Sequence, residues 1–197
     1  MGFAEFARVR RDAAALDLAW QLFRHIEQRV AAGSVPTHPA PVPTDHRPHA
    51  VTMIRLNMTL VLQAACEGLD DARSEQARQG VLALAGTLFS TFLLPGGRIA
   101  ELIPAAGEGD NTLLARHVNP GHALEGLWML LMVAARSGRA DWLARAAEAV
   151  RFALAVGWDE PHGGLLHFVD REGGPPTGTA GDSVYERSVR GSWDKKL

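Results

Sequence analysis

Cysteine is almost missing from this chain, with one residue, Cys66, in 197. That excludes a disulfide framework, and because Cys66 falls inside an apolar run, the sequence predicts a buried, inert thiol in a reducing compartment. Net charge is also scarce, formally −2. Without a cluster of basic residues there is no electrostatic footprint for nucleic acid, so a neutral small molecule is the easier partner. No apolar run reaches the roughly 18 residues of a membrane span. Arg8, Arg10, Arg11 and Asp12 interrupt the stretch where a secretory signal needs its apolar core. A Walker A loop, a dinucleotide glycine pattern, a G-x-S-x-G elbow and paired C-x-x-C motifs are absent too. The expectation is a cytoplasmic protein with no nucleotide cofactor and no membrane contact.

What is present is helical. A hydrophobic content of 47% is enough for a core, most simply that of one domain. Over 13–32, Leu16, Ala19, Trp20, Phe23, Ile26 and Val30 form one stripe opposite Arg24, Glu27 and Gln28, and Gly33 ends the helix. Residues 34–48 hold five prolines and read as a crossover without regular structure. The next helix, 51–68, is apolar nearly all round and is predicted to be an inner one. A third runs over 71–94, with Asp70 and Asp71 at its start and Pro95-Gly96-Gly97 at its end. Residues 99–103 then form a short strand in a long excursion. Helices 120–137 and 140–156 follow, and Gly163-Gly164 opens a small hairpin through Leu165, His167 and Val169. Paired helices of unequal polarity predict a layered all-α arrangement, either an open solenoid or a closed toroid. No repeat of fixed length recurs to choose the solenoid.

Asn119-Pro120-Gly121-His122-Ala123-Leu124-Glu125 is the candidate site. Asn is a favoured N-cap, Pro is tolerated at the first helical position, and Leu124, Leu127, Trp128, Leu130 and Leu131 continue at helical spacing. His122 thus lies in the first turn, where the positive end of the helix dipole disfavours imidazolium and predicts a neutral ring able to accept a proton. Glu125 is three residues on, on the same face, where it can orient the ring or a bound hydroxyl. The competing reading is a packed histidine beside a solvated glutamate. His117, His122 and Glu125 are too few donors for a zinc site, and no metal is expected.

Residues 116–128, Arg-His-Val-Asn-Pro-Gly-His-Ala-Leu-Glu-Gly-Leu-Trp, closely resemble the signature helix of the N-acylglucosamine 2-epimerase family. Residues 157–170, Gly-Trp-Asp-Glu-Pro-His-Gly-Gly-Leu-Leu-His-Phe-Val-Asp, look like its Gly-Trp-Asp and Gly-Gly-Leu hairpin. Residues 49–57 are similar to its His-Ala-x-Pro-Met-x-x-Leu-Asn helix, with Thr52 where proline is common. The resemblance implies an (α/α)6 toroid, here the central helical hairpins of an incomplete domain spanning 1–197, with a small β-hairpin excursion. It implies His122 as a catalytic proton-transfer group with Glu125 beside it, and no cofactor.

Arg116, His117, Asn119 and Trp158 make up the candidate substrate-binding set. Arg116 would stabilise an enediolate oxygen, His117 would line the cleft, and Trp158 would stack on a sugar face. A surface arginine, a histidine set behind the cleft and a core tryptophan are the respective alternatives. The family's substrate-binding arginine, paired tryptophans and second histidine have no counterpart in the sequence, so the expectation is an incomplete protein, inactive alone. Its uncovered helical flanks would invite association, as a homodimer or with another chain. An aldose–ketose isomerase on the same scaffold and a non-catalytic interaction module are the competing functions.

Overall fold

The computed structural model describes residues 1–33, 35, 37, 40–43, 46–104 and 109–194, and the architecture is all-α. The proline-rich crossover at 34–48 therefore lies partly outside the described residues. The chain divides into two compact units, Met1–Pro36 with Ile54–Ala85, and Thr37–Met53 with Gly86–Leu197.

The first unit contains α1 (Gly2–Arg10), α2 (Ala13–Ala31), most of α3 (His49–Cys66) and most of α4 (Asp71–Thr87). Helix α1 is not apparent from the apolar pattern; Arg11 in the left-handed region ends it and Asp12 caps α2 through the Ala15 N–H. Ala4, Ala7, Leu16, Ala19, Trp20, Leu62, Ala65, Cys66 and Ala77 form the core of this unit. The Cys66 thiol is fully buried and accepts the Trp20 indole N–H at 3.2 Å, and burial raises its pKa, as an inert thiol requires. Outside that core Phe3, Phe6, Val9, Leu18 and Leu22 are exposed.

In the second unit, β1 (Arg47–Pro48) pairs antiparallel with β2 (Leu102–Ile103), and β3 (His117–Val118) pairs with β4 (Val169–Asp170). The short helix α5 (Leu113–Arg116), α6 (Pro120–Arg136), α7 (Ala140–Gly157) and α8 (Val184–Asp194) complete it. The helix expected to run to residue 94 stops at Thr87 and widens into a π-helical turn over Leu88–Phe92. That turn buries Leu88, Phe89 and Phe92 together. Phe89 stacks on Trp142 of α7, and Phe92 meets His49 edge-on.

A tight reversal through Pro95–Gly97, where Gly96 and Gly97 take positive φ, brings Ile99 back beside Leu93. Gly97 lies so close to α7 that a Cβ would be 3.1 Å from Ala149 Cα. Strand pairing is shorter than the sequence predicts. Trp158 and Leu165 form one isolated bridge, and Val169 pairs not within a local hairpin but with Val118, 51 positions earlier in the chain numbering. Among the described residues no helix is long and apolar enough to cross a membrane.

Candidate functional site

Asn119 has extended backbone, and its Oδ1 accepts the His122 N–H at 3.1 Å, so α6 begins at Pro120 as the sequence predicts. Pro120 in turn rests on Gly157 at the end of α7, where an added Cβ would lie 2.3 Å from the proline Cβ. His122 is thereby fixed by two contacts of its own first turn.

The imidazole does not have the environment its helix position alone suggests. Its Nδ1 lies 2.9 Å from Glu101 Oε1, and the Glu101 carboxyl is only 6% exposed while the His122 side chain is 40% exposed. A hydrogen bond to a charged partner contributes about 1.5–3 kcal/mol, against about 0.3–1 kcal/mol for the helix dipole. The carboxylate therefore wins. Its hydrogen bond raises the His122 pKa; partial burial opposes the rise, and the charges of Glu101 and Glu125 add to it. The shift is thus opposite in direction to the one expected from the dipole.

Burial works against ionisation of Glu101, but the His122 hydrogen bond, followed by the fields of His122, His49 and His117, outweighs it and holds the carboxyl below the ordinary range. Among the described residues no hydrogen bond engages His122 Nε2.

Glu101 is the candidate site residue that sequence reasoning missed. Its signal was a single charge inside Ile99-Ala100-Glu101-Leu102-Ile103, an otherwise apolar strand. The carboxylate is placed by its own backbone, because Glu101 C=O accepts the His49 N–H at 2.9 Å just before β2 joins β1. The His49 ring sits against α6 opposite Gly126, where a Cβ would approach Nε2 to 2.9 Å. Burial pushes the His49 pKa down to about 4, with Glu101 opposing that and His122 adding to it. Its Nδ1 has no hydrogen-bond partner among the described residues.

The other candidates fare differently. Arg116 is buried, and its guanidinium is spread over Asp170 (2.7 and 3.0 Å), Thr177 (3.0 Å), Glu172 (3.2 Å) and Asn111 (3.5 Å). It organises the turn after β4, and those partners occupy the donors an enediolate would need. His117 is fully buried. Its Nδ1–H donates to Leu114 C=O at 2.9 Å, Nε2 accepts from the Tyr185 hydroxyl at 3.2 Å, and burial lowers its pKa. Asn119 is buried and spends Oδ1 on the cap. Glu125 is exposed on the same face as His122, and Trp158 is 45% exposed next to Gly157.

His167, read from sequence as part of a small hairpin, stacks on Phe168 and feels both His122 and Glu101. Among the described residues no group of three or more His, Cys, Asp or Glu side chains could hold a metal ion. The site can do one thing well: hold an imidazole by one nitrogen and present the other to a ligand.

Comparison with known proteins places the stretch carrying this site within a known family's range. Residues 99–185, the stretch from Ile99 to Tyr185 that carries both Glu101 and His122, match the N-acylglucosamine 2-epimerase family. The resemblance carried by the motifs at 116–128 and 157–170 is thereby shown. The bovine N-acylglucosamine 2-epimerase is 36% identical over 136 residues, which is 65% of this chain and 30% of that protein. The mouse protein of the same name is 40% identical over 85 residues (42% and 20%), and the human one 32% over 133 residues (66% and 30%). The chain thus spans less than a third of the length of these N-acylglucosamine 2-epimerases.

Proposed function

We propose that this chain supplies part of the active site of a cytoplasmic sugar epimerase that interconverts N-acyl-D-glucosamine and N-acyl-D-mannosamine by proton transfer at C2. The observation that carries the reading is His122, anchored through Nδ1 to buried Glu101 with no hydrogen bond to Nε2 among the described residues. The names of the relatives supply the substrate class. In the open-chain sugar the C1 carbonyl acidifies the C2 proton, so one group removes it to give an enediolate and another returns a proton to the opposite face. His122 is one of these groups. Glu125, exposed beside it, would hold a sugar hydroxyl, and Trp158 would cover an apolar sugar face. Arg116, His117 and Asn119 keep the frame. The second proton-transfer group is proposed to come from residues beyond these 197, and association through the exposed face of α1 and α2 would accompany assembly.

The test is conversion of N-acetyl-D-mannosamine in deuterium oxide, followed by mass spectrometry and by separation of the epimers. The 197-residue chain alone is expected to convert little or nothing. In a polypeptide carrying these residues at the length of the relatives, turnover with deuterium entering C2 is expected, and His122→Ala lowers it about 100-fold or more. Retention of the rate within a few-fold would move the base elsewhere, with Glu125 next in line. A ketose product would replace epimerisation by aldose–ketose isomerisation.

A further inference from the structure

Among the described residues, Glu101 is the one acidic side chain buried among several ionisable rings. His49 on α3, His117 on β3 and Tyr185 on α8 all sense its charge, and His122 on α6 hydrogen-bonds to it. A buried carboxylate stays ionised only if a neighbour supplies positive charge or hydrogen bonds. His117 has both ring nitrogens committed to Leu114 C=O and the Tyr185 hydroxyl. His49 is buried, and among the described residues its Nδ1 has no hydrogen-bond partner. His122 alone among these rings points a nitrogen at the carboxylate within hydrogen-bonding distance, and it alone is substantially exposed, 40% against 9% or less for the others.

We propose that Glu101 is a positioning residue that grips His122 by Nδ1–H and keeps the ring protonated at rest, so that His122 enters the reaction as the proton donor through Nε2. The proposal deepens the reading of His122 as a proton-transfer group and rests on it. It reverses the order that the helix dipole suggests, in which a neutral ring would begin as the base.

In the return step the electron pair of the enediolate moves to C2 and takes the Nε2 proton. The C2–H bond forms, the N–H pair stays on nitrogen, and the enediolate oxygen at C1 becomes the carbonyl again. His122 is left neutral, still donating Nδ1–H to Glu101. The proton first removed has gone to the group on the opposite face, and in the reverse direction His122 removes what it here returns. The charged and titratable groups facing His122 are Glu101 ahead of β2, Glu125 on its own helix, His49 on α3 and His167 ahead of β4. The two carboxylates favour the charged ring and the two imidazoles oppose it. Glu101 supplies the hydrogen bond that decides the balance.

The experiment is an NMR titration of the full 197-residue chain labelled with 15N at histidine, without sugar. The His122 resonances are assigned by their loss in His122→Ala. In the wild type, His122 is expected to titrate above the ordinary histidine value of 6.5, with Nδ1–H retained once the ring is neutral. Glu101→Gln keeps an acceptor oxygen but removes the charge, and should move the midpoint down; Glu125→Gln should move it less. A wild-type midpoint at or below 6.5 overturns the proposal, as does a folded Glu101→Gln chain whose midpoint is unchanged. If Glu101→Gln fails to fold, the wild-type midpoint and tautomer decide. Because no substrate is present, this titration and the conversion assay fail separately, so loss of the epimerase reading is distinguishable from loss of this one.

Discussion

Replacing Gly157 by alanine tests whether the end of α7 positions the start of α6. Gly157 is the last residue of α7, and its φ is not among the positive ones, so alanine meets no backbone strain there and would by helix propensity be favoured by about 1 kcal/mol. The new methyl, however, would lie 2.3 Å from Pro120 Cβ and 2.5 Å from Cγ. Carbon atoms pack at about 3.5–4.0 Å, so one helix must withdraw by more than roughly 1 Å.

The proline ring cannot rotate away as a flexible side chain could. Overpacking of this kind costs about 1–3 kcal/mol, which offsets the propensity gain and leaves a net destabilisation of up to about 2 kcal/mol. At roughly 2–4 °C per kcal/mol for a chain of this size, thermal unfolding followed by circular dichroism should fall by several degrees. His122 is two residues past Pro120, so its ring should also shift from Glu101, and in a polypeptide of the relatives' length a misplacement of about 1 Å at the proposed proton-transfer group should lower the rate about 100-fold. Gly86→Ala is the control. It sits near the end of α4, its Cβ would meet only Trp142 at 3.9 Å, and it should raise stability slightly. The reasoning is refuted if Gly157→Ala melts at or above the wild-type temperature.

Asn119→Ala removes the cap on α6 and should cost about 0.5–2 kcal/mol by urea unfolding; an unchanged midpoint would mean that Pro120 against Gly157 suffices to start the helix. Asp170→Ala leaves the buried Arg116 guanidinium with Glu172 at 3.2 Å as its remaining carboxylate among the described residues and should cost about 1.5–3 kcal/mol, seen as a drop in denaturation midpoint. Burial works against the Asp170 carboxylate, yet hydrogen bonds from Arg116, Thr177 and the backbone hold its pKa down at about 2. The stability this pair contributes is therefore complete above the unfolded value of 3.8 and is lost as pH falls towards 2. The buried His49, depressed from 6.5 to about 4, makes the unfolded chain bind more protons across that interval, so stability should rise from pH 4 to 6.5. His122, raised above 6.5, contributes stability that is present below 6.5 and fades as pH climbs through its folded value. Urea midpoints measured across that range should therefore be highest near neutrality, and a midpoint that fell steadily from pH 4 to 6.5 would contradict the burial of His49.

The sequence pattern by itself determined α2, α3, α6 and α7 to within about two residues, because an apolar stripe at helical spacing, or in α3 an apolar run between breakers, is a property of the helix and not of its neighbours. The Asn119 cap was legible for the same reason: donor and acceptor are three residues apart. Helix α8 was legible too, though the expectation passed it over, since Ser183 and Glu186 form a reciprocal capping box within one turn. The short α1, with two alanines as its buried residues, offers no such stripe.

What local spacing could not contain is which distant side chains meet. Glu101 and His122 are 21 residues apart, and Arg116 and Asp170 are 54 apart. The first pair forms because Glu101 is registered against His49 and β1, the second because β3 pairs with β4. From sequence, the proton balance of His122 followed from the field of its own helix. In the folded chain a buried carboxylate lies 2.9 Å away, and at that range a paired charge outweighs a helix end.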